Sequence, residues 1–221
     1  MTREYGQFCG LARALELVGG RWTLLIIREL MVGPRRYSEL EEGLPGIPTN
    51  VLSSRLRELE DTGLIERVLQ ARPSRSVAYA LTPYGLELWD PMSRLGLWGA
   101  KSLGKPRRGD FFSSASLELA LRATFDADAA HDCDLLFELR LAERRLYVHV
   151  RDRAVSFPAE PSSPPDLVLA TTPEVFAELF AGYTDIDAAV ATARARIDGP
   201  KREGRRFFKL FHLPADPELA R

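Results

Sequence analysis

The sequence predicts an α+β chain of two domains, the first mostly helical with one β-hairpin, the second a predominantly antiparallel sheet covered by helices. Three observations carry that expectation. Apolar residues recur at helical spacing through the first 60 or so residues, then switch to a strand-like pattern on either side of ARPSR (71–75), whose Pro and Ser favour a turn. A short charged stretch with Gly and Pro, GKPRRGD (104–110), follows the last helical pattern of that half and marks a boundary. Beyond it, alternating segments such as DLLFELRL (134–141) are interleaved with capped helical ones. A length of 221 residues suits two domains of roughly 100 residues each, at 1–106 and 111–221.

In the first domain, Leu11, Ala14, Leu15 and Val18 share a helix face that ends at Gly19-Gly20. RWTLLIIREL (21–30) begins a second helix with Trp22, Leu25, Ile26 and Leu30 inward. Gly33-Pro34 breaks the chain, and Tyr37 to Leu44 form a short third helix capped near Tyr37-Ser38. PGIPT (45–49) turns into a fourth helix, with Thr49 as N-cap and Gly63 as its stop. LIERVLQ (64–70) and SVAYALT (76–82) form the hairpin. Thr82-Pro83 caps a single long helix, 84–103, carrying Leu86, Leu88, Trp89, Met92, Leu95 and Trp98. Helix, helix, helix-turn-helix, hairpin, helix is the order of a winged helix-turn-helix. In the second domain the pattern predicts a helix at 114–127 and strands at DLLFELRL, RRLYVHVRD, AVSF and DLVLA. Helices follow at TTPEVFAELFAG (171–182), 186–195 and 200–211.

The composition is that of an ordinary globular protein, 45% hydrophobic and 28% charged, so neither disorder nor a fibrous repeat is expected. The net charge of −1 gives no global basic field, but residues 1–110 hold 16 Lys and Arg against 13 Asp and Glu, and residues 111–221 hold 14 against 18. Only the first half has the sign expected of a surface that meets phosphates. The N-terminal MTREYGQ has no signal-peptide pattern, and no apolar run approaches a membrane span. With only Cys9 and Cys133, a cytoplasmic protein without disulfides is expected.

The fourth helix, within IPTNVLSSRLRELEDTG (47–63), points to function. On a 100° wheel Leu52, Leu56 and Leu59 fall within about 60° and face the core. Asn50, Ser54 and Arg57 lie opposite, with Ser53 on the flank and Thr49 at the start. Asn pairs with adenine edges, Arg with guanine, and Ser with bases or phosphate, at the helix end that enters a major groove first. Arg72 and Arg75 at the hairpin tip suit the neighbouring backbone or minor groove, and Arg35 and Arg36, before the third helix, are further DNA-binding candidates. A merely solvated face is the plain alternative for any one of these residues, and a protein-docking winged helix is the alternative for the set.

Cys9 together with LELVGGRWTLLIIREL (15–30), SELEEGLPGIPTNVLSSRLRELEDTGLIERV (38–68) and YALTPYGLEL (79–88) resembles the HxlR family of bacterial transcriptional regulators over about 100 residues. That resemblance implies a cytoplasmic homodimer on a near-palindromic operator in double-stranded DNA, with the fourth helix as recognition helix and the hairpin as wing. It also implies dimerisation through the N-terminal and last helices, here through Leu11, Trp89, Leu95 and Trp98. Cys9 stands where some members of the family carry an oxidant-sensing thiol; a small buried hydrophobe is the alternative. Arg3 and Arg13 are the cations that could lower its pKa.

In the second half, Phe125, Phe137, Leu139, Phe176, Leu179, Phe180, Phe207, Phe208 and Phe211 exceed what one stripe needs. They are compatible with a solid core or with an apolar pocket. DLVLATTPEVFAELFAG (166–182), AAVATARARIDG (188–199) and REGRRFFKLFHL (202–213) resemble the sterol-carrier-protein-like domain, which implies a sheet with helices over a tunnel for apolar molecules. The polar PAEPSSPP (158–165) would then be a mouth loop or a plain one. His131, His149 and His212 share no metal-ligand spacing, and HDCD (131–134) reads as a polar turn, so no metal, cofactor or catalytic residue is expected. The expectation is a dimeric regulator modulated by a small apolar effector. The rival is a lipid or acyl-chain carrier whose winged helix docks onto another protein.

Overall fold

The structure is a computed structural model that describes residues 4–70, 76–107 and 109–213. It divides into two compact units, Met1–Met92 and Ser93–Arg221.

The first unit begins with α1 (Gly10–Val18) and α2 (Thr23–Met31). Gly19 separates them because a Cβ there would lie 2.4 Å from the Leu15 carbonyl oxygen. Trp22 then enters α2 from the left-handed region, with φ 77°. Ile26, Ile27 and Leu30 are the buried stripe of α2. Leu25, expected inward, is exposed instead; at 100° per residue it stands about 200° from Ile27, on the far side of the helix.

Helix α3 (Tyr37–Gly43) starts one residue after Arg36, whose backbone N–H donates to Glu39 Oε2 at 2.7 Å. The start is therefore held by Glu39 reaching back, not by Ser38. Helix α4 (Thr49–Asp61) is capped by Pro48, so Thr49 is its first helical residue and not its N-cap. The proline ring holds φ at −66°, and the Pro48 carbonyl accepts from the N–H groups of Val51 and Leu52. At the other end Gly63 takes φ 71°, which lets its N–H bond Glu60 O and lets Leu64 N–H bond Leu59 O. That left-handed cap is the stop expected of Gly63.

Strands β1 (Ile65–Gln70) and β2 (Ser76–Leu81) pair antiparallel from Ile65↔Leu81 to Gln70↔Ser76. Arg35 adds a short third rung, exchanging both backbone hydrogen bonds with Tyr79 at 2.9 and 2.8 Å. Thr82 Oγ1 ties the hairpin exit to the end of α4, donating to Gly63 O at 2.7 Å and accepting from Gly85 N–H at 3.1 Å.

The expected single helix over 84–103 is two helices, α5 (Pro83–Leu86) and α6 (Trp89–Ala100). Pro91 explains the break. It has no N–H for the Glu87 carbonyl, and its ring collides with that carbonyl in a continuous helix. Helix α6 runs across the division between the two units.

The second unit comprises α7 (Ser114–Thr124), β3 (Asp134–Leu141), β4 (Arg144–Arg151), β5 (Ala154–Ser156), β6 (Leu167–Thr171), α8 (Pro173–Phe180), α9 (Ile186–Ala191), β7 (Ala195–Asp198) and α10 (Lys201–Leu210). The sheet order is β5-β4-β3-β6-β7, antiparallel except for the β3–β6 pair. Phe137, Leu139 and Leu141 of β3, Val148 and Val150 of β4, and Leu167 and Leu169 of β6 share one face. They are buried in one cluster with Phe176, Leu179 and Phe180 of α8 and Phe207 and Leu210 of α10. The alternate residues Glu138, Arg140, Arg145 and Arg196 take the other face.

Gly85 is the tightest backbone approach in the first unit, since a Cβ there would lie 2.1 Å from the Leu64 carbonyl oxygen. Gly85→Ala should destabilise that unit by about 1–3 kcal/mol. The midpoint of tryptophan-monitored unfolding in a Trp98→Phe background checks this, because the remaining tryptophans, Trp22 and Trp89, both lie in the first unit. An unchanged midpoint would contradict the close approach.

Candidate nucleic-acid interface and apolar cavity

Helix α4 fixes the interface by what it buries. Leu52, Leu56 and Leu59 join Ile26, Ile27, Leu30, Leu40 and Leu44 in one core. Each buried leucine contributes about 1.5–3 kcal/mol, so rotation of α4 about its axis is costly. Thr49, Asn50, Ser53, Ser54 and Arg57 are left exposed along the opposite side. Arg57 has no ion-pair partner among the described residues. Ser54 Oγ donates to Glu58 Oε1 at 3.1 Å, and Arg55, half-buried, pairs with the other Glu58 oxygen. Glu58 therefore sets the carboxylate limit of the polar face toward its C-terminal end.

Tyr37 supplies a tie that the sequence pattern did not point to. Its hydroxyl donates to the Thr49 carbonyl at 3.0 Å and lies 3.3 Å from Ser53 Oγ, joining α3 to the first turn of α4. The two arginines before α3 differ in their freedom. Arg35 is committed through its backbone to the hairpin. Arg36 places its guanidinium 3.0 Å from Glu39 Oε1, so a phosphate would have to displace a carboxylate there. Arg72 and Arg75 lie outside the described residues.

Cys9 is exposed in the single chain and sits at the N-cap of α1. The backbone N–H groups of Ala12 and then Leu11 hold its thiol below the ordinary value. A neighbouring cation does not account for this: Arg13 is paired with Glu16 at 3.0 Å, and Arg3 lies outside the described residues. Cys133 is buried, and burial pushes its thiol up. Leu11, Leu95 and Trp98, expected at a subunit contact, are exposed by 70%, 49% and 72%, whereas Trp89 is half-buried.

The second unit contains both a solid core and a cavity, in different places. Phe207 meets Phe137 edge-on at 5.1 Å and packs on Phe211 at 4.8 Å, and Phe125 packs on Phe211 at 5.4 Å. Of the nine residues expected to line a pocket, Leu139, Phe176 and Phe180 do so. Phe125, Phe137, Leu179, Phe207, Phe208 and Phe211 do not; their rings and branched chains fill one another's space in the core. The cavity of about 170 Å³ opens instead where α7 and α8 present the short side chains of Ser116, Ala120 and Ala177 across from Leu139, Leu141 and Leu146. Phe112, Leu117, Arg144 and Leu213 complete much of its wall.

Among the described residues no three His, Cys, Asp or Glu side chains converge to hold a metal, and no helix is long and apolar enough to cross a membrane. His149 Nε2 lies 3.0 Å from Asp134 Oδ1 on the sheet, and His131 pairs with its neighbour Asp132.

Residues 17–106 match the HxlR-like helix-turn-helix family model. The chain is 46% identical over 96 residues to the uncharacterized HTH-type transcriptional regulator Rv3095 of Mycobacterium tuberculosis, covering 43% of this chain and 60% of that one. It is 37% identical over 99 residues to the uncharacterized HTH-type transcriptional regulator YtcD of Bacillus subtilis, covering 45% of this chain and 78% of that one. A solved structure of an HTH-type transcriptional regulator ytcD is 35% identical, with a TM-score of 0.39 over 42% of this chain and 95% of that one. The chain thus spans about 60% of the length of the mycobacterial relatives it matches. These relatives are regulators and not enzymes.

The two thiols should separate cleanly under iodoacetamide. Cys9 should be modified in the folded protein, with a rate that levels off at lower pH than that of a free peptide thiol, because the thiolate is the reacting form. Cys133 should be modified only on unfolding. Peptide-resolved mass spectrometry reads both, and equal labelling of the two would contradict the assignment.

Proposed function

The chain belongs to the HxlR-like helix-turn-helix family, and from that premise we propose that it is a sequence-specific, homodimeric DNA-binding transcriptional regulator whose second unit receives a small effector. The observation that carries this reading is the exposed row Thr49, Asn50, Ser53, Ser54 and Arg57 on a helix whose other side is locked by three leucines. A face meant only for water has no need of short hydrogen-bonding groups at the helix start, whereas a major groove reads them. In the bound state Arg57 donates to a guanine edge and Asn50 to an adenine edge. Arg35, Arg36, Arg72 and Arg75 take phosphates, with Arg36 exchanging Glu39 for the DNA backbone.

Exposed Leu11 on α1, and Leu95 and Trp98 on α6, support self-association. Two-fold symmetry then calls for a near-palindromic operator with half-sites about one helical turn apart. The cavity supports an effector domain of the sterol-carrier-like kind. An effector that favours one separation of the two α4 helices by about 1–3 kcal/mol changes operator occupancy about 5–150-fold. Cys9, exposed and with a low thiol pKa, is the position at which an oxidant or electrophile would act on α1. The carrier reading draws on the same cavity, and the DNA experiment separates the two.

Fluorescence anisotropy with duplexes from upstream of the protein's own gene tests the reading. Affinity should exceed that for shuffled duplex and fall steeply with salt. Arg57→Ala should relax discrimination by about 1–3 kcal/mol at one base position, whereas Arg75→Ala should weaken all duplexes and reduce the salt slope by about one. Equal affinity for native and shuffled duplex would favour the carrier. Unchanged discrimination in Arg57→Ala would remove that residue from the reading surface.

A further inference from the structure

The cavity of the second unit has an apolar body and one charged end. Leu139, Leu141, Leu146 and Phe176 form much of the body, and Arg144 and Arg145 are the ionisable lining residues among the described ones. Strand register separates the two arginines. Arg144 pairs with Leu141, and Leu146 pairs with Leu139, so Arg144 belongs to the sheet face that borders the cavity. Arg145 pairs with Arg140 and belongs to the opposite face, where it lies 3.9 Å from Glu138 Oε1. The exposed Arg144 guanidinium rests 5.1 Å from the centre of the Phe111 ring, next in sequence to Phe112 and Ser113, which also line the cavity. It has no carboxylate partner among the described residues, and its neighbour Glu143 is not part of the lining.

Size limits the occupant. At about 170 Å³ the cavity is close to an apolar cavity of about 150 Å³ that takes up benzene. An apolar body of roughly six to eight carbons fills it, and a longer chain has to extend beyond these walls.

We propose that this cavity binds a compact organic monoanion, an aryl or short alkyl carboxylate, with its carbon body against Leu139, Leu141, Leu146 and Phe176 and its carboxylate on Arg144. The inference rests on the reading of the cavity as the effector site. A carboxylate beside so apolar a wall needs a charge-assisted partner, and the guanidinium fork supplies one. A neutral molecule of the same shape gains nothing from Arg144.

Calorimetric titration of the full-length protein with octanoate, 1-octanol and dodecanoate tests this. Octanoate should bind at least tenfold more tightly than 1-octanol, and dodecanoate should gain nothing over octanoate. Arg144→Gln should weaken octanoate about tenfold and leave 1-octanol unchanged, with Arg144→Lys recovering part of the loss. Ala177→Leu, which fills the cavity, should abolish binding of both, with circular dichroism confirming the fold. Equal binding of octanoate and 1-octanol, or an Arg144→Gln variant that binds octanoate normally, overturns the anion assignment and leaves the cavity as an apolar effector site. Tighter binding of dodecanoate overturns the size limit. If neither octanoate nor 1-octanol binds, or Ala177→Leu still binds both, the effector reading of this cavity falls with the proposal.

Discussion

The burial of Leu52, Leu56 and Leu59 against Ile26, Ile27, Leu30, Leu40 and Leu44 is the constraint on which the first unit depends. Those contacts fix the rotation of α4 about its own axis and so decide which residues it shows to the outside. Truncating any one of the three leucines to Ala would leave a cavity at a cost of about 2–5 kcal/mol. The left-handed Gly63 ends the helix where the core ends and turns the chain into the wing. Tyr37 and Thr82 then pin its two ends, one through the Thr49 carbonyl and the other through the Gly63 carbonyl. The polar row is thus held on a rigid element at both ends, as a reading surface requires.

Much of this was legible in the sequence because the periodicity is strong. The leucine spacing of α4, the pairing of two strands across the turn, and Gly63 each follow from local rules, and each is found where those rules put it. Other features depend on residues that local pattern does not join. The Tyr37 tie spans twelve residues, and no spacing rule announces it. Thr49 has a side chain that can cap a helix, yet the rigid Pro48 backbone takes that place. Leu25 is as apolar as its inward neighbours, but its wheel position opposes Ile27. The break before α6 had its signal in Pro91, whose missing N–H and ring bulk fall on Glu87.

In the second unit the large aromatic residues were a misleading guide to the cavity. Phe137, Phe207 and Phe211 pack on one another and close the space around them. The opening arises where side chains are short, at Ser116, Ala120 and Ala177, and composition draws the eye away from such residues. Only strand register, which pairs Arg144 with Leu141 and Arg145 with Arg140, distinguishes two adjacent arginines by the face they occupy.

The central claim is that the outer edge of α4 meets DNA bases. Amide hydrogen exchange of the full chain, with and without a duplex from its own upstream region, measures that contact directly. Slowed exchange is expected in the first two turns of α4, residues 49–57, on addition of the native duplex, and less with a shuffled one. Exchange in that segment unchanged by DNA, with protection arising elsewhere in the first unit, would contradict it.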